Sequence, residues 1–179
     1  MMKSISLVSG ILMLSLSAQA GLFSKKDKGL TDAQIIQIVE NNSSAQIASA
    51  ALEKKNGKID QAKSLADWMT THSQKTQKDV KALAKKLDIK PEKTDASDKI
   101  TKEGETTTKR LSAMKGRTLD RAYINKQIEV QKKMLSQLDN QLIPQAKNTA
   151  LKAMLQNTRK SVNQNLLHAQ AISRSIPSS

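Results

Sequence analysis

Residues 59–87 decide the fold class, because a single helical pattern runs through the whole stretch. They read IDQAKSLADWMTTHSQKTQKDVKALAKKL. Apolar side chains recur there every three or four residues, which is the repeat of one face of an α-helix. The stripe consists of Ile59, Ala62, Leu65, Ala66, Met69, Thr76, Val80, Leu83 and Leu87. A helix with such a stripe buries that face against neighbouring helices.

A second helix is predicted on the N-terminal side of this stretch. Thr31 and Gln34 have the spacing of a capping box, in which each side chain bonds the other's backbone N–H. Asn56 and Gly57 are residues that end helices, so this first helix covers about residues 31–56.

The C-terminal half predicts three more helices. A shorter one, rich in Thr and Lys, covers residues 97–114. A long helix begins near Thr118 and ends at a turn marked by Pro144. The last helix covers residues 146–173. We therefore predict an all-α fold, a four-helix bundle with an extra short helix between helices 2 and 3.

Composition excludes several classes of protein. The chain has 179 residues, a net charge of +14, two His, no Cys and only 2% aromatic residues. Without Cys there can be no disulfide, thiolate metal site or cysteine nucleophile. Two His nearly exclude a multi-histidine metal centre within one chain. Sparse aromatic residues also argue against a large β-sandwich.

The N-terminus has the three parts of an export signal. Residues 1–20 combine Lys3, an apolar run and the small-residue cleavage site Ala18-Gln19-Ala20. We expect cleavage near Ala20 and a periplasmic or outer-membrane-associated protein, without a membrane span in the mature chain. The expected organisation is a signal peptide (1–20), a flexible basic leader (21–29), the bundle domain (30–173) and a disordered tail (174–179).

Polar side chains interrupt the apolar stripe of each long helix. This predicted polar core layer consists of Gln46, His72, Gln131 and Asn165. Since buried polar groups need partners, the simplest interpretation is a layer whose members hydrogen-bond to one another and fix the register of the helices. The alternative is a ligand site in the bundle core. Amides are poor ligands for iron or zinc, so no metal or other cofactor is expected.

One segment of the chain carries a family resemblance. Thr118-Leu119-Asp120-Arg121-Ala122-Tyr123-Ile124 resembles the Phe-Asp-Arg-Ala-Tyr-Val run of the bacterial family catalogued as domain of unknown function 4142. Weaker similarities cover residues 68–72 and 167–170. The resemblance implies a ferritin-like helical bundle in an exported protein, of a kind often labelled as an outer-membrane protein.

The same resemblance bears on the polar layer. The family carries acidic residues or histidine at the positions occupied here by Gln46, Thr71, Val130, Gln131 and Asn165. His72 is retained. If the family's residues bind a metal, this chain has lost most of them, and only a degenerate core site around His72 remains.

Asp120, Arg121 and Tyr123 are the most family-specific residues. They could form a recognition site, but we favour a structural role for all three. Asp120 would lie in the first turn of its helix, where the helix dipole favours a carboxylate. Arg121 would pair with an acid, and Tyr123 would bury its ring with its hydroxyl bonded.

A row of lysines on helix 2 predicts a basic face. It contains Lys75, Lys78, Lys81, Lys85 and Lys86. Such a surface attracts polyanions, and for an exported protein these are lipopolysaccharide or phospholipid head groups rather than nucleic acid. The alternative is a solvated face that serves solubility. We expect Trp68, beside the stripe, to pack in the core rather than anchor a membrane.

No catalytic residues are predicted. His72 and His168 have no Ser-His-Asp arrangement, and the apolar stripes carry no inward Asp or Glu for acid–base chemistry. The sequence favours a non-enzymatic envelope protein that binds an anionic component through the basic face. The alternative is a ferritin-like ligand- or metal-binding bundle with a degenerate site around His72.

Overall fold

A computed structural model describes residues 29–176, and all regular structure within them is helical. The helices are α1 (Asp32–Asn56), α2 (Asp60–Lys86), α3 (Asp95–Ser112), α4 (Gly116–Gln137) and α5 (Thr149–Ser175). The all-α prediction is therefore confirmed. The predicted signal peptide, most of the predicted leader and the last three residues lie outside the described part.

Local sequence sets most of the helix ends. The capping box of Thr31 and Gln34 is present at the start of α1. A second capping box, between Thr94 and Ser97, starts α3 two residues earlier than predicted. Helix α5 begins at Thr149, capped by Asn148, and not at residue 146. It extends to Ser175, so residues 174 and 175 are helical and not part of a tail.

Pro144 does not end the helix that precedes it. A π-helical turn, Leu138–Leu142, follows α4, and one further helical turn, Ile143–Gln145, contains the proline. In the π-helical turn the N–H of Ile143 bonds to the carbonyl of Leu138. Proline lacks an N–H and crowds the carbonyl four residues before it, which a wider turn accommodates. The change of direction comes afterwards, at residues 146–148.

The helices pack as two hairpins. Helix α1 packs against α2, α4 packs against α5, and the hairpins meet through the α2–α5 and α1–α4 contacts. Helix α3 lies mainly against α1. Gly104 allows this approach, because a Cβ at that position would lie 2.7 Å from the Cβ of Ala45. No helix in residues 29–176 is long and apolar enough to cross a membrane.

An aspartate from each hairpin holds the turn of the other. Asp32 of α1 accepts bonds from the N–H groups of Lys147 and Asn148, at 2.8 and 2.9 Å, just before α5. Asp120 of α4 accepts bonds from Lys58 and Ile59, at 2.8 and 3.2 Å, just before α2. Both carboxylates thus satisfy donors ahead of a helix on the opposite hairpin.

The core has two apolar clusters separated by a polar zone. Ile35, Leu138 and Leu151 belong to one cluster, and Leu65 and Tyr123 belong to the other. The buried polar residues between the clusters form what we call the polar belt: Ser43, Gln46, Ser49, Ser73, Gln127, Gln131 and Asn165. It crosses all four long helices near their middles.

Candidate functional site

The polar belt contains three of the four predicted core-layer residues, and two of these contact each other. Gln131 on α4 is fully buried, and its Nε2 donates to Oε1 of Gln46 on α1 at 2.8 Å. The same nitrogen lies 3.3 Å from Oε1 of Gln127. Gln127 in turn donates to Ser49 at 3.3 Å. These bonds join α1 to α4 through amide and hydroxyl groups.

The other two predicted residues form a separate group between α2 and α5. Nδ1 of His72 lies 3.1 Å from Oδ1 of Asn165, and the same oxygen accepts a bond from Nε1 of Trp68 at 2.8 Å. His72 is only half-buried. The structure therefore brings the predicted residues together as two pairs. Met69 of α2 contacts the first pair, with its sulfur 3.8 Å from Nε2 of Gln131.

The chemistry of the belt suits structure better than catalysis. Its side chains are amides and hydroxyls, which are poor metal ligands. Residues 29–176 contain no group of three or more His, Asp or Glu placed to hold a metal ion. A cavity of about 70 Å³ lies beside Gln46 and Gln127. That is far below the volume of at least about 300 Å³ that small-molecule sites usually have.

Two carboxyl groups lie together at one end of the bundle. Glu53 and Asp120 are both fully buried. They converge on Gly57, where an added Cβ would lie 2.2 Å from Oε1 of Glu53 and 2.7 Å from Oδ1 of Asp120. The expectation that no acid points inward was therefore wrong. Asp120 also does not serve the first turn of its own helix, since it binds the turn before α2.

Glu53 has the most perturbed environment of the acidic side chains in the described residues. No donor group within residues 29–176 reaches either of its carboxyl oxygens. Burial is the largest of the effects that raise the pKa of Glu53 to about 8. The hydrogen bond to Asp120 and the negative charge of Asp120 also raise this pKa, and the positive charge of Lys63 lowers it by a smaller amount. At neutral pH the pair therefore holds a proton, and a protonated Glu53 can donate to Asp120.

Tyr123 lies in the apolar cluster nearest this acid pair. Its ring is fully buried, as predicted from the family motif, but its hydroxyl has no hydrogen-bond partner within the described residues. The expectation of a bonded hydroxyl was therefore wrong. Burial, and then the negative charges of Glu53 and Asp67, raise the pKa of Tyr123. Arg121, on the same turn of α4, is half-buried.

The sequence contains a spacing that indicates the burial of Glu53, although the apolar stripe alone does not. Val39, Gln46 and Glu53 follow one another at intervals of seven residues, so they share one face of α1. Glu53 stands next to Lys54 and Lys55, however, and a run of charges usually marks a solvated helix end. Its burial depends on the approach of α4.

The five predicted lysines of the basic face are all exposed on α2, and Lys75 pairs with Asp79. The neighbouring helix α5 is also basic, because its sequence contains no Asp or Glu. Its cations are Lys152, Arg159, Lys160 and Arg174. Arg159 pairs with Asp139 and lowers the pKa of that carboxyl. Helices α2 and α5 therefore each carry an excess of positive charge.

Trp68 lies at the protein surface and not in the core. It is 42% exposed, which overturns the expectation that it packs inside. Its ring centroid lies 4.4 Å from that of His72 and 5.6 Å from that of His168. On α5, Leu167 is 56% exposed.

Together these features define an all-helical bundle with a polar belt, a buried acid pair and a basic outer side. Over residues 17–172 the chain matches the family described as Domain of unknown function (DUF4142), and it belongs to that family. No curated protein and no solved structure matches it.

Proposed function

We propose that this chain is an exported, non-enzymatic protein of the cell envelope that binds an anionic component through the basic face of α2. The component is a surface of lipopolysaccharide or phospholipid head groups. The polar belt and the acid pair then serve the architecture of the bundle and not a reaction.

One observation carries this proposal: the five lysines of the basic face are all exposed on α2. Lysines near an anionic membrane surface contribute about 1 kcal/mol each to binding. Because Lys78, Lys81 and Lys85 recur at helical spacing, they share one face of α2 and can contact an anionic surface at the same time. Export, expected from residues 1–20, would bring the protein to such a surface.

We also propose that the bundle is a ferritin-like four-helix bundle, formed by α1, α2, α4 and α5, with α3 outside it. The contacts of α1 with α2 and α4, and of α5 with the same two helices, support this arrangement. The family membership is consistent with it. In this bundle the polar belt occupies the central level, where related architectures place metals.

Co-sedimentation with outer-membrane vesicles over a salt series tests the function. Binding should weaken as salt rises from about 20 mM to about 300 mM, because screening shortens the reach of surface charges. A variant with Lys78, Lys81 and Lys85 changed to Glu should bind at least about a hundredfold more weakly.

The matched control changes Lys99, Lys102 and Lys109 of α3 to Glu, which alters the net charge equally on another exposed surface. Its affinity should fall much less than that of the α2 variant. Equal losses would show that binding follows net charge and not the basic face of α2. Absence of binding at every salt concentration would refute the proposal as a whole.

A further inference from the structure

A polar groove on the protein surface lies between α2 and α5. Its volume is about 340 Å³, within the range of about 300–1,000 Å³ that is usual for small-molecule sites. Polar side chains from both helices line it: His72, Thr76, Asn157, Thr158, Ser161 and Gln164. On each helix their spacing is that of one helical face, so the two helices present facing polar walls.

The hydrogen bonds around Trp68 determine which ring nitrogen of His72 carries the proton. An indole N–H can only donate, so the Asn165 atom that it faces is the acceptor oxygen Oδ1. Nδ1 of His72 lies 3.1 Å from the same oxygen, so in the neutral ring Nδ1 must hold the proton in order to donate. The other nitrogen, Nε2, keeps its lone pair and has no partner within residues 29–176. Because His72 lines the groove, this nitrogen is an acceptor for a ligand there.

Two hydroxyl groups of the groove are available as well. A helical Thr commonly donates to the carbonyl four residues before it, as Thr70 and Thr71 do on α2. Thr76 and Ser161 make neither this bond nor another within the described residues. Thr158 donates to a carbonyl of its own helix, and its oxygen can still accept. Since hydroxyl groups both donate and accept, the walls of the groove offer both functions.

The charges of the lining disfavour ionic ligands. Lys75 and Asp79 lie in the groove and pair with each other, so the lining is neutral when His72 is neutral. An anion would face the lone pair of His72 and the carboxylate of Asp79, whereas a cation would face Lys75. A neutral ligand with several hydroxyl groups meets neither repulsion. Its hydroxyl groups can donate to His72 and accept from the amides of Asn157 and Gln164.

We propose that the groove between α2 and α5 binds a neutral saccharide, with Nε2 of His72 accepting a hydrogen bond from one of its hydroxyl groups. Thr76 and Ser161 bind further hydroxyl groups, and Trp68 is a positioning residue that acts through Asn165. A site built to bond hydroxyl groups discriminates strongly against ligands that lack them. The groove is independent of the proposed anionic site, because the three lysines changed in the test of that site do not line it.

Titration with sugars, followed by NMR, tests the site. The probes are maltose, lactose, trehalose and N,N′-diacetylchitobiose, each up to about 10 mM, since a small open site is expected to bind in the millimolar range. Mass spectrometry defines the N-terminus of the protein, which is the same in all variants. At least one sugar should shift the signals of His72 Nε2 and of the Thr76 and Ser161 amides, and leave those of α3 in place. If none of these sugars shifts the signals, or if phosphate shifts them instead, the proposal is overturned.

Thr76→Val and Ser161→Ala each remove one hydroxyl group with little change of shape. Each should weaken the binding of the sugar about fivefold. The matched control is Thr71→Val, at an exposed position of α2 that does not line the groove, and its affinity should be unchanged. Equal affinities for both groove variants and the unaltered protein would overturn the assignment of the groove.

The protonation of the His72 ring gives an independent readout. At a pH where the ring is neutral, its NMR signals should show the proton on Nδ1, and a proton on Nε2 would overturn the acceptor role of His72. Trp68→Phe keeps an aromatic ring but removes the N–H, so the Asn165 amide is free to turn. The fraction of rings protonated on Nε2 should then rise, and the affinity for the sugar should fall. The triple lysine variant of α2 should bind the sugar as tightly as the unaltered protein, so the saccharide site and the anionic site can fail separately.

Discussion

At the scale of single residues, Glu53 and Asp120 make the stability of the fold depend on pH. Both carboxyl groups are fully buried and both approach Gly57, so they cannot ionise together without strong repulsion. Asp120 accepts two backbone bonds. Glu53 accepts none within the described residues, and it is the group whose pKa is raised, so it carries the proton at neutral pH.

Glu53 therefore gives the protein a pH-dependent stability. Its pKa in the folded state is about 8, above the ordinary value of 4.5. Between these values the folded state holds a proton that the unfolded chain releases. The contribution to stability is complete below pH 4.5 and is lost as the pH rises through 8. The decline can reach about 1.4 kcal/mol per pH unit.

We predict that Glu53→Gln flattens this decline. The Gln amide resembles the protonated acid and can donate to Asp120 at every pH. At about pH 8 the variant should therefore be more stable than the unaltered protein, by about 1–3 kcal/mol. Urea unfolding between about pH 5 and pH 8 measures the difference.

Glu105→Gln is the control for this measurement, because Glu105 is exposed on α3. It should leave the shape of the pH profile unchanged. If the profile of Glu53→Gln runs parallel to that of the unaltered protein, Glu53 is not the group that titrates.

The sequence predicts the burial of some of these residues correctly and of others wrongly, for a physical reason. Periodicity correctly placed Gln46, Gln131 and Asn165 inside, since each follows the stripe of its own helix. It placed Trp68 inside too, although the ring turns outward and bonds to Asn165 on another helix. Glu53 and the unbonded hydroxyl of Tyr123 depend on how α1 and α4 meet, which the pattern of a single helix does not contain.

At the scale of helices, the polar belt acts through pairs of elements. The hydrogen bond between the side-chain amides of Gln46 and Gln131 joins α1 to α4. The hydrogen bond between Asn165 and Trp68 joins α5 to α2. A slip of one helix along its neighbour would separate these partners and leave buried amides unpaired. The belt therefore favours one register, while the apolar clusters at either end would tolerate several.

We predict energetic coupling between Gln46 and Gln131. Either change to Leu alone leaves the other amide buried without its partner and should destabilise the protein by about 1–3 kcal/mol. The double variant should be more stable than the sum of the single changes implies, by about 0.5–3 kcal/mol. Chemical unfolding of the four proteins of the cycle measures this coupling.

Gln46 and Asn165 provide the comparison pair, since they belong to the two separate groups of the belt. Their changes to Leu should be additive within about 0.5 kcal/mol. Additivity for Gln46 and Gln131 as well would mean that their 2.8 Å bond contributes nothing to stability.

The docking of α3 depends on one close approach. We predict that Gly104→Ala forces α3 away from α1, because the new Cβ would lie 2.7 Å from that of Ala45. The expected cost is about 1–3 kcal/mol. Amide hydrogen exchange should accelerate in α3 and in the facing turns of α1. Thr106→Ala, on an exposed position of α3, should not have this effect.

Helix boundaries show how far sequence reasoning reaches at this scale. The capping box at Thr31 was predictable because it involves only residues close in sequence. The path of the chain around Pro144 was not predictable, because a proline is compatible either with a helix end or with a wider helical turn. Residues 138–145 continue as helix because Leu138 and Leu142 are buried in the core, a contact that local propensity does not include.

At the scale of the whole molecule, the net charge of +14 opposes compactness. We predict that raising salt from about 20 mM to about 300 mM increases the Tm by about 3 °C, because screening weakens repulsion between cations. The variant with Lys78, Lys81 and Lys85 changed to Glu should show a smaller increase. Thermal unfolding followed by circular dichroism measures both proteins, and identical increases would contradict this explanation.

The reciprocal aspartates have a consequence for the order of folding. Asp120 accepts its bonds from Lys58 and Ile59, which are 62 and 61 residues away in sequence. Asp32 accepts its bonds from Lys147 and Asn148, which are 115 and 116 residues away. Helices form from local contacts and form early, whereas contacts between distant residues wait for loop closure. Each hairpin therefore has a loosely held turn until the other docks, and the last step of folding closes both turns at once.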